Sequence, residues 1–221
     1  MTAPRAIFFD AAGTLIHLPH GVGYHYRDVA RRHGCELDEA ALTAAFRAAW
    51  KAMPARASTR IARADDDRGW WRALVSAVLD ALRVPPSSLD RDAYFAELYD
   101  EFTRPGVWEL FPEVTGVLAA LAERHPLCVV SNFDARLRTI LTGLGLAKYF
   151  QHLVLSSEVG ADKPDPWIFQ HALQISGLDA GAVLHVGDDP RCDWAGAESA
   201  GLQAFRLQRP GNDLRALLHP P

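Results

Sequence analysis

The run Ala6-Ile7-Phe8-Phe9-Asp10-Ala11-Ala12-Gly13 decides how the rest of the chain is read. Four unbroken apolar residues stop at an aspartate, and a glycine follows three positions on. That pattern suits a short strand buried on both faces of a parallel sheet. Outward from it, the pattern recurs after Pro105-Gly106. Leu127-Cys128-Val129-Val130 stops at Ser131, and Leu153-Val154-Leu155 leads toward Lys163. Val183-Leu184-His185-Val186 stops at Gly187-Asp188-Asp189, and Gln203-Ala204-Phe205 reads as a last strand. Helical spacing fills the gaps. Val114, Val117, Leu118 and Leu121 mark one helix, and Leu137, Ile140, Leu141 and Leu144 mark another behind Asp134. Asp165-Pro166 and Asp189-Pro190 each read as an N-cap followed by proline at the first helical position, and Asn212 as the cap of a terminal helix. Strands alternating with helices predict βαβ units and an α/β, doubly wound parallel sheet.

Residues 17–104 break the alternation. Apolar residues fall there at helical spacing in four blocks: Val22, Tyr26 and Val29; Leu42, Phe46, Ala49 and Trp50; Trp71, Leu74, Val78 and Leu82; Phe95, Leu98 and Phe102. Asp65 to Asp67 are available to cap the third block, and Ser88 or Asp90 the fourth. The expected organisation is a core from 1–16 and 105–221 with an all-helical insert at 17–104. Within the insert, 54–68 reads as the least ordered stretch.

Composition narrows the function. The chain has 221 residues, 49% hydrophobic and 23% charged, which is enough to bury a core without staples. A net charge of -4 with no basic block argues against a nucleic-acid binder. No apolar run approaches the ~20 residues of a membrane span. Met1 to Arg5 lacks the pattern of a signal peptide, so a cytoplasmic location is expected. Three cysteines, Cys35, Cys128 and Cys192, have no metal-ligand spacing and predict no disulfide framework. Lysine is scarce. Only Lys51, Lys148 and Lys163 occur among 23 basic residues, which singles out a lysine that follows a strand.

In open α/β sheets, ligands bind beyond the carboxyl ends of the strands. There the sequence places Asp10, Ser131, Lys163 and the acids Asp188, Asp189 and Asp193. Clustered carboxylates invite a hard divalent cation such as Mg²⁺. The cation and Lys163 would neutralise a phosphoryl group, the serine would donate a hydrogen bond, and a carboxylate could attack as nucleophile. These motifs, in order, resemble the haloacid dehalogenase-like hydrolase superfamily: Asp10-Ala11-Ala12-Gly13-Thr14-Leu15, Ser131-Asn132, Lys163-Pro164-Asp165-Pro166, and Gly187-Asp188-Asp189 with Asp193. The resemblance spans the chain. It implies a Rossmann-like core with a helical cap, and a Mg²⁺-dependent phosphatase acting on a small phosphorylated metabolite. Asp10, Ser131 and Lys163 would be catalytic, and Thr14 and Asn132 would bind substrate. Asp10, the Ala12 carbonyl and Asp188 would hold the metal with Asp189 or Asp193, of which Asp189 also fits an N-cap.

One position departs from the resemblance. Phosphatases of this superfamily carry a second aspartate two residues after the nucleophile, and this chain has Ala12, which cannot transfer a proton. His17 and His20 are candidates to replace that acid. The departure keeps three alternatives in view. The first is phosphonoacetaldehyde hydrolase-like cleavage of a carbon–phosphorus bond, which needs Lys51 as a Schiff base. The others are metal-free 2-haloacid dehalogenation and a non-catalytic descendant that binds a phosphorylated ligand or a partner.

Overall fold

In the computed structural model, residues 3–218 are described. Met1 and Thr2, part of the N-terminal reading, and the last three residues of the expected 105–221 segment lie outside them. The strands are β1 (Ala6–Phe9), β2 (Ile16–His17), β3 (Glu109–Leu110), β4 (Leu127–Ser131), β5 (His152–Leu155), β6 (Val183–Gly187) and β7 (Gln203–Arg206). The helices are α1 (Gly21–Arg32), α2 (Glu39–Ala52), α3 (Arg68–Ala81), α4 (Arg91–Glu101), α5 (Val114–Ala122), α6 (Arg136–Gly143), α7 (Ser156–Val159), α8 (Pro166–Ser176) and α9 (Gly196–Ser199). A π-helical turn, Pro190–Ala195, runs into α9.

The main sheet has the order β5-β4-β1-β6-β7. All its pairings are parallel. β1 lies at the centre and is buried at every position, because strands covered by helices on both faces have no polar side to show. Its neighbours lie in register, Ile7 opposite both Leu127 and Leu184. Order reverses at β1, between β4 and β6, and that is the switch point at which such sheets open a crevice.

The chain divides into two units. One comprises Met1–His17, Ala57–Asp66 and Glu109–Pro221, and the other Leu18–Arg56 and Asp67–Trp108. This differs from the expected 17–104 insert in one informative way. Residues 57–66 return to the sheet unit, where Thr59 and Arg60 donate backbone N–H groups to the Gly160 carbonyl and Arg63 donates to that of Ser157. Asp66 accepts from the Ala135 N–H at the start of α6 and from the Ser157 hydroxyl. A Cβ on Gly160 would sit 1.9 Å from the Ile61 carbonyl oxygen, so this strap closes only over a glycine. Asp66 therefore ties the strap to the residue before α6, whose first helical N–H, that of Arg136, is accepted by Asp134, and Asp67 starts α3 in the left-handed region without a side-chain cap.

The helical unit forms α1 to α4 around a core that includes Tyr26, Val29, Leu42, Val78, Tyr94 and Leu98. Asp90, rather than Ser88, caps α4 by accepting from Asp92 and Ala93. At the other end of the chain the expected Asn212 cap is replaced. Asn212 folds back onto Gln208 and Arg206, and Asp213 accepts the Arg215 N–H at the start of a 3-10 turn. No helix among the described residues is long and apolar enough to cross a membrane.

Candidate active site

Asp10 leaves β1 with its backbone N–H donated to Val186 on β6, which sets its carboxylate at the switch point. Ser131, at the end of β4, donates its hydroxyl to Asp10 Oδ1 at 3.1 Å. Lys163 is buried, and its ammonium makes three contacts: Asp10 Oδ1 at 2.7 Å, Asp193 Oδ1 at 2.6 Å and the Val130 carbonyl at 2.8 Å. An ammonium has three donors, so Lys163 has none left for a ligand. What it offers a bound anion is charge.

Oxygens of Asp10, Asp188 and Asp193 lie within 4.8 Å of one another, and no other such group of acids occurs among the described residues. Two glycines make the approach possible. A Cβ on Gly13, whose φ is +93°, would lie 2.4 Å from Asp188 Oδ2, and one on Gly187 would lie 2.2 Å from Asp193 Cγ. Three carboxylates and one ammonium, which meets Asp10 and Asp193, leave two negative charges at a site where Asp10, Asp193 and Lys163 are buried and Asp188 is exposed. That donor set suits a hard divalent cation. The electrostatics agree. Burial pushes the Asp10 carboxyl up to about 6, with Lys163 pulling it back and Asp193 and Asp188 adding to the rise. Burial and then Asp193 raise Asp188. Burial also works against an ionised Asp193, but Lys163 and His185 outweigh it and hold the group below the usual carboxylate range.

The structure sorts the remaining candidates. Asp189 is exposed and spends its carboxylate on the N–H groups of Arg191 and Cys192 as the cap of the π-helical turn, so Asp193 takes the acidic place both were candidates for. Thr14 is fully buried and donates its hydroxyl to Asp188 Oδ1 at 3.1 Å. A hydroxyl with no exposed surface cannot meet a substrate, so Thr14 orients Asp188. Asn132 accepts the Lys163 backbone N–H and donates to the Lys163 carbonyl, a reciprocal clamp at 2.6 and 2.9 Å. It fixes the lysine's backbone where the sequence suggested substrate contact. Ala12 is exposed in the turn after β1. His17 packs its ring 4.6 Å from that of Phe111, and His20 pairs with Tyr24 in the helical unit. Lys51 is exposed in the last turn of α2. Burial pushes the Cys128 thiol up, and Cys192 up to about 12, so neither is a thiolate at neutral pH.

The role of one residue escaped the sequence reading. His185 is a buried polar residue within β6, and its Nε2 lies 2.9 Å from Asp193 Oδ1. The available signal was a histidine inside an otherwise apolar strand, two positions before Gly187. Asp66, expected with Asp65 and Asp67 as a cap of the third helical block, instead meets Ala135 and Ser157.

A parallel switch-point sheet that brings a buried lysine and three carboxylates to one point defines an α/β protein with an acidic site beyond the carboxyl ends of its strands. A family model described as haloacid dehalogenase-like hydrolase matches residues 4–201, and the chain belongs to that family. The Mus musculus haloacid dehalogenase-like hydrolase domain-containing protein 3 is 34% identical over 203 residues, 91% of this chain and 80% of the mouse protein. Among solved structures, a defluorinating L-2-haloacid dehalogenase matches with a TM-score of 0.78 at 22% identity, over 94% of this chain and 82% of its own. A HAD-hydrolase from Bacillus subtilis bound to magnesium matches with a TM-score of 0.77 at 18% identity, over 99% and 98%. At those identities the two structures share the fold with this chain.

Proposed function

We propose that this hydrolase is a Mg²⁺-dependent phosphatase that acts on a small phosphorylated metabolite through an aspartyl-phosphate on Asp10. The observation that carries the reading is the charge imbalance: Asp10, Asp188 and Asp193 oxygens lie within 4.8 Å of one another against the one ammonium of Lys163. A metal-free reaction would leave the nucleophile beside a further carboxylate, Asp188, with only the one shared ammonium to offset all three acids. Asp10, Asp188 and Asp193 would hold Mg²⁺, with the Ala12 carbonyl as a further ligand carried over from the family pattern. Bound there, the cation would neutralise phosphoryl oxygens.

The chain's own groups do the rest. Lys163 keeps Asp10 substantially ionised at neutral pH despite its burial. The Asp10 carboxylate attacks phosphorus, the phosphorus–oxygen bond to the alcohol breaks, and the electron pair leaves on that oxygen. Ser131 lies beside the attacking carboxylate, where its hydroxyl can pass from Asp10 to a phosphoryl oxygen. Ala12 supplies no proton to the departing alkoxide, so substrates with stable leaving groups are favoured. Water then cleaves the acyl phosphate. The phosphonate reading would need Lys51, an exposed residue of α2, to shed its hydration.

The test is a substrate screen with and without Mg²⁺: aryl and alkyl phosphates, phosphonoacetaldehyde and 2-haloacids. Metal-dependent phosphate release that is lost in Asp10→Asn is the expected result. Halide release indifferent to chelator would overturn the reading, and so would borohydride trapping of phosphonoacetaldehyde on Lys51.

A further inference from the structure

We propose that His185 is a positioning residue: with Gly187 it forms a slot on β6 that fixes Asp193, so that one carboxylate serves both Lys163 and the divalent metal. The inference rests on the metal reading above and adds a residue to it. His185 and Gly187 are two apart on a strand and face the same side. Asp193 comes to that side from the π-helical turn. The missing side chain of Gly187 leaves room for the carboxylate, since a Cβ there would lie 2.2 Å from Asp193 Cγ. The His185 ring meets it from the next position along, with Nε2 at 2.9 Å from Oδ1.

Counting donors shows why the ring matters. Asp193 Oδ1 receives Lys163 at 2.6 Å and His185 at 2.9 Å, which uses both its lone pairs. Oδ2 receives the Asp189 N–H at 3.0 Å and keeps one lone pair. Without His185, Lys163 would be the one donor left on Oδ1, and Lys163 is shared with Asp10 at 2.7 Å. The carboxylate could then rotate toward either partner. With His185 in place its plane is set from three directions, and the free lone pair is held ready.

The ring also declares its tautomer. A nitrogen facing a carboxylate must carry the hydrogen, so His185 is Nε2–H, and Nδ1 is a bare acceptor. Nδ1 is buried and has no partner. The ring stands edge-on to Phe169, centroids 5.1 Å apart. A phenylalanine would fill this space without stranding an acceptor. Retaining a buried acceptor without a partner calls for a reason, and the Nε2–H bond to Asp193 supplies it.

The experiment compares wild type, His185→Phe and His185→Gln without substrate. Calorimetry measures Mg²⁺ binding to the metal-free proteins. Ring-nitrogen NMR of ¹⁵N-histidine protein, with His185 assigned by difference from the glutamine variant, reads the tautomer. Hydrogen-bonded partners of metal ligands are typically worth about 10–100-fold in metal affinity. We expect His185→Phe to lose affinity in that range, and His185→Gln, whose amide keeps an N–H donor, to retain most of it. The wild-type spectrum should show a protonated Nε2 and a bare Nδ1. Wild-type affinity in His185→Phe, or an Nδ1–H ring, would overturn the proposal. If His185→Phe does not fold, the wild-type spectrum and the glutamine variant still decide. A wild type that binds no Mg²⁺ would instead overturn the functional reading on which this rests.

Discussion

Replacing Asp10 should stabilise the metal-free protein. Asp10 is raised from 3.8 to about 6, chiefly by burial. The unfolded chain gives up this proton near its ordinary value, whereas the folded chain keeps it until about two pH units higher. Between those values the unfolded state binds fewer protons, so stability falls as pH rises. Each pKa unit is worth about 1.36 kcal/mol, so above pH 6 the ionised Asp10 costs the fold on the order of 3 kcal/mol. Asparagine has the shape and neutrality of the protonated acid. Asp10→Asn should therefore be more stable than wild type by up to about 3 kcal/mol near neutral pH. The difference should shrink as pH falls and vanish below about 4, where both states of wild type hold the proton. Urea unfolding of both proteins in chelator, from acid to neutral pH, reads it directly. Mg²⁺ at about 1,000 times its Kd should then reverse the order, because a ligand at that excess stabilises the folded form that binds it by about 4.1 kcal/mol. A metal-free Asp10→Asn that is less stable than wild type at neutral pH would refute the reasoning. So would a difference that does not change with pH.

Three further substitutions probe the site and its support. Ala12→Asp places a carboxyl on an exposed position of the turn after β1. General acid catalysis is worth about 10²–10⁴-fold, so turnover of an alkyl phosphate should rise in that range. Wild type, with no side chain at position 12 to activate the water that cleaves the acyl phosphate, should release a burst of aryl alcohol before slow turnover in stopped-flow traces, and the variant should lose that burst. Gly13→Ala puts a Cβ 2.4 Å from Asp188 Oδ2 at a φ of +93°. It should weaken Mg²⁺ binding by calorimetry, and unchanged binding would remove Asp188 from the site. Asp66→Ala removes the acceptor for Ala135 and the Ser157 hydroxyl. A hydrogen bond to a charged group is worth about 1.5–3 kcal/mol, and exchange of the Ala135 amide hydrogen should quicken in step with the loss in urea stability.

Most of the sheet was legible because burial leaves a mark on strands. β1 and β4 are runs of apolar residues ending at the polar groups they present, and β6 carries one polar residue, His185, before it ends at Gly187. The helices of the insert were legible because their apolar faces repeat with the period of a helix. Elements held by other means left no such mark. β2 and β3 are two residues each, too short for any period to show. The 57–66 strap is held by its own backbone N–H groups donating to the Gly160 and Ser157 carbonyls, by the Asp66 carboxylate and by the Arg63–Asp162 ion pair, none of which depends on apolar patterning. A polar, unpatterned stretch therefore reads as the least ordered part of the insert when it is a docked segment of the sheet unit.

The site shows a second kind of limit. Reactive residue types announced it, but their roles depended on directions that residue type does not encode. Asp189 and Asp193 both stand at the start of a helical turn. Asp189 turns its oxygens onto the next N–H groups, while Asp193, four residues on, faces back across Gly187 to Lys163 and His185. Thr14 and Asn132 carry groups that could bind a substrate, and each uses them to hold a neighbour, Asp188 in one case and the Lys163 backbone in the other. The reactive carboxylates are crowded only because Gly13 and Gly187 bring the backbone to them, so the geometry of the site depends as much on residues without functional groups as on those with them.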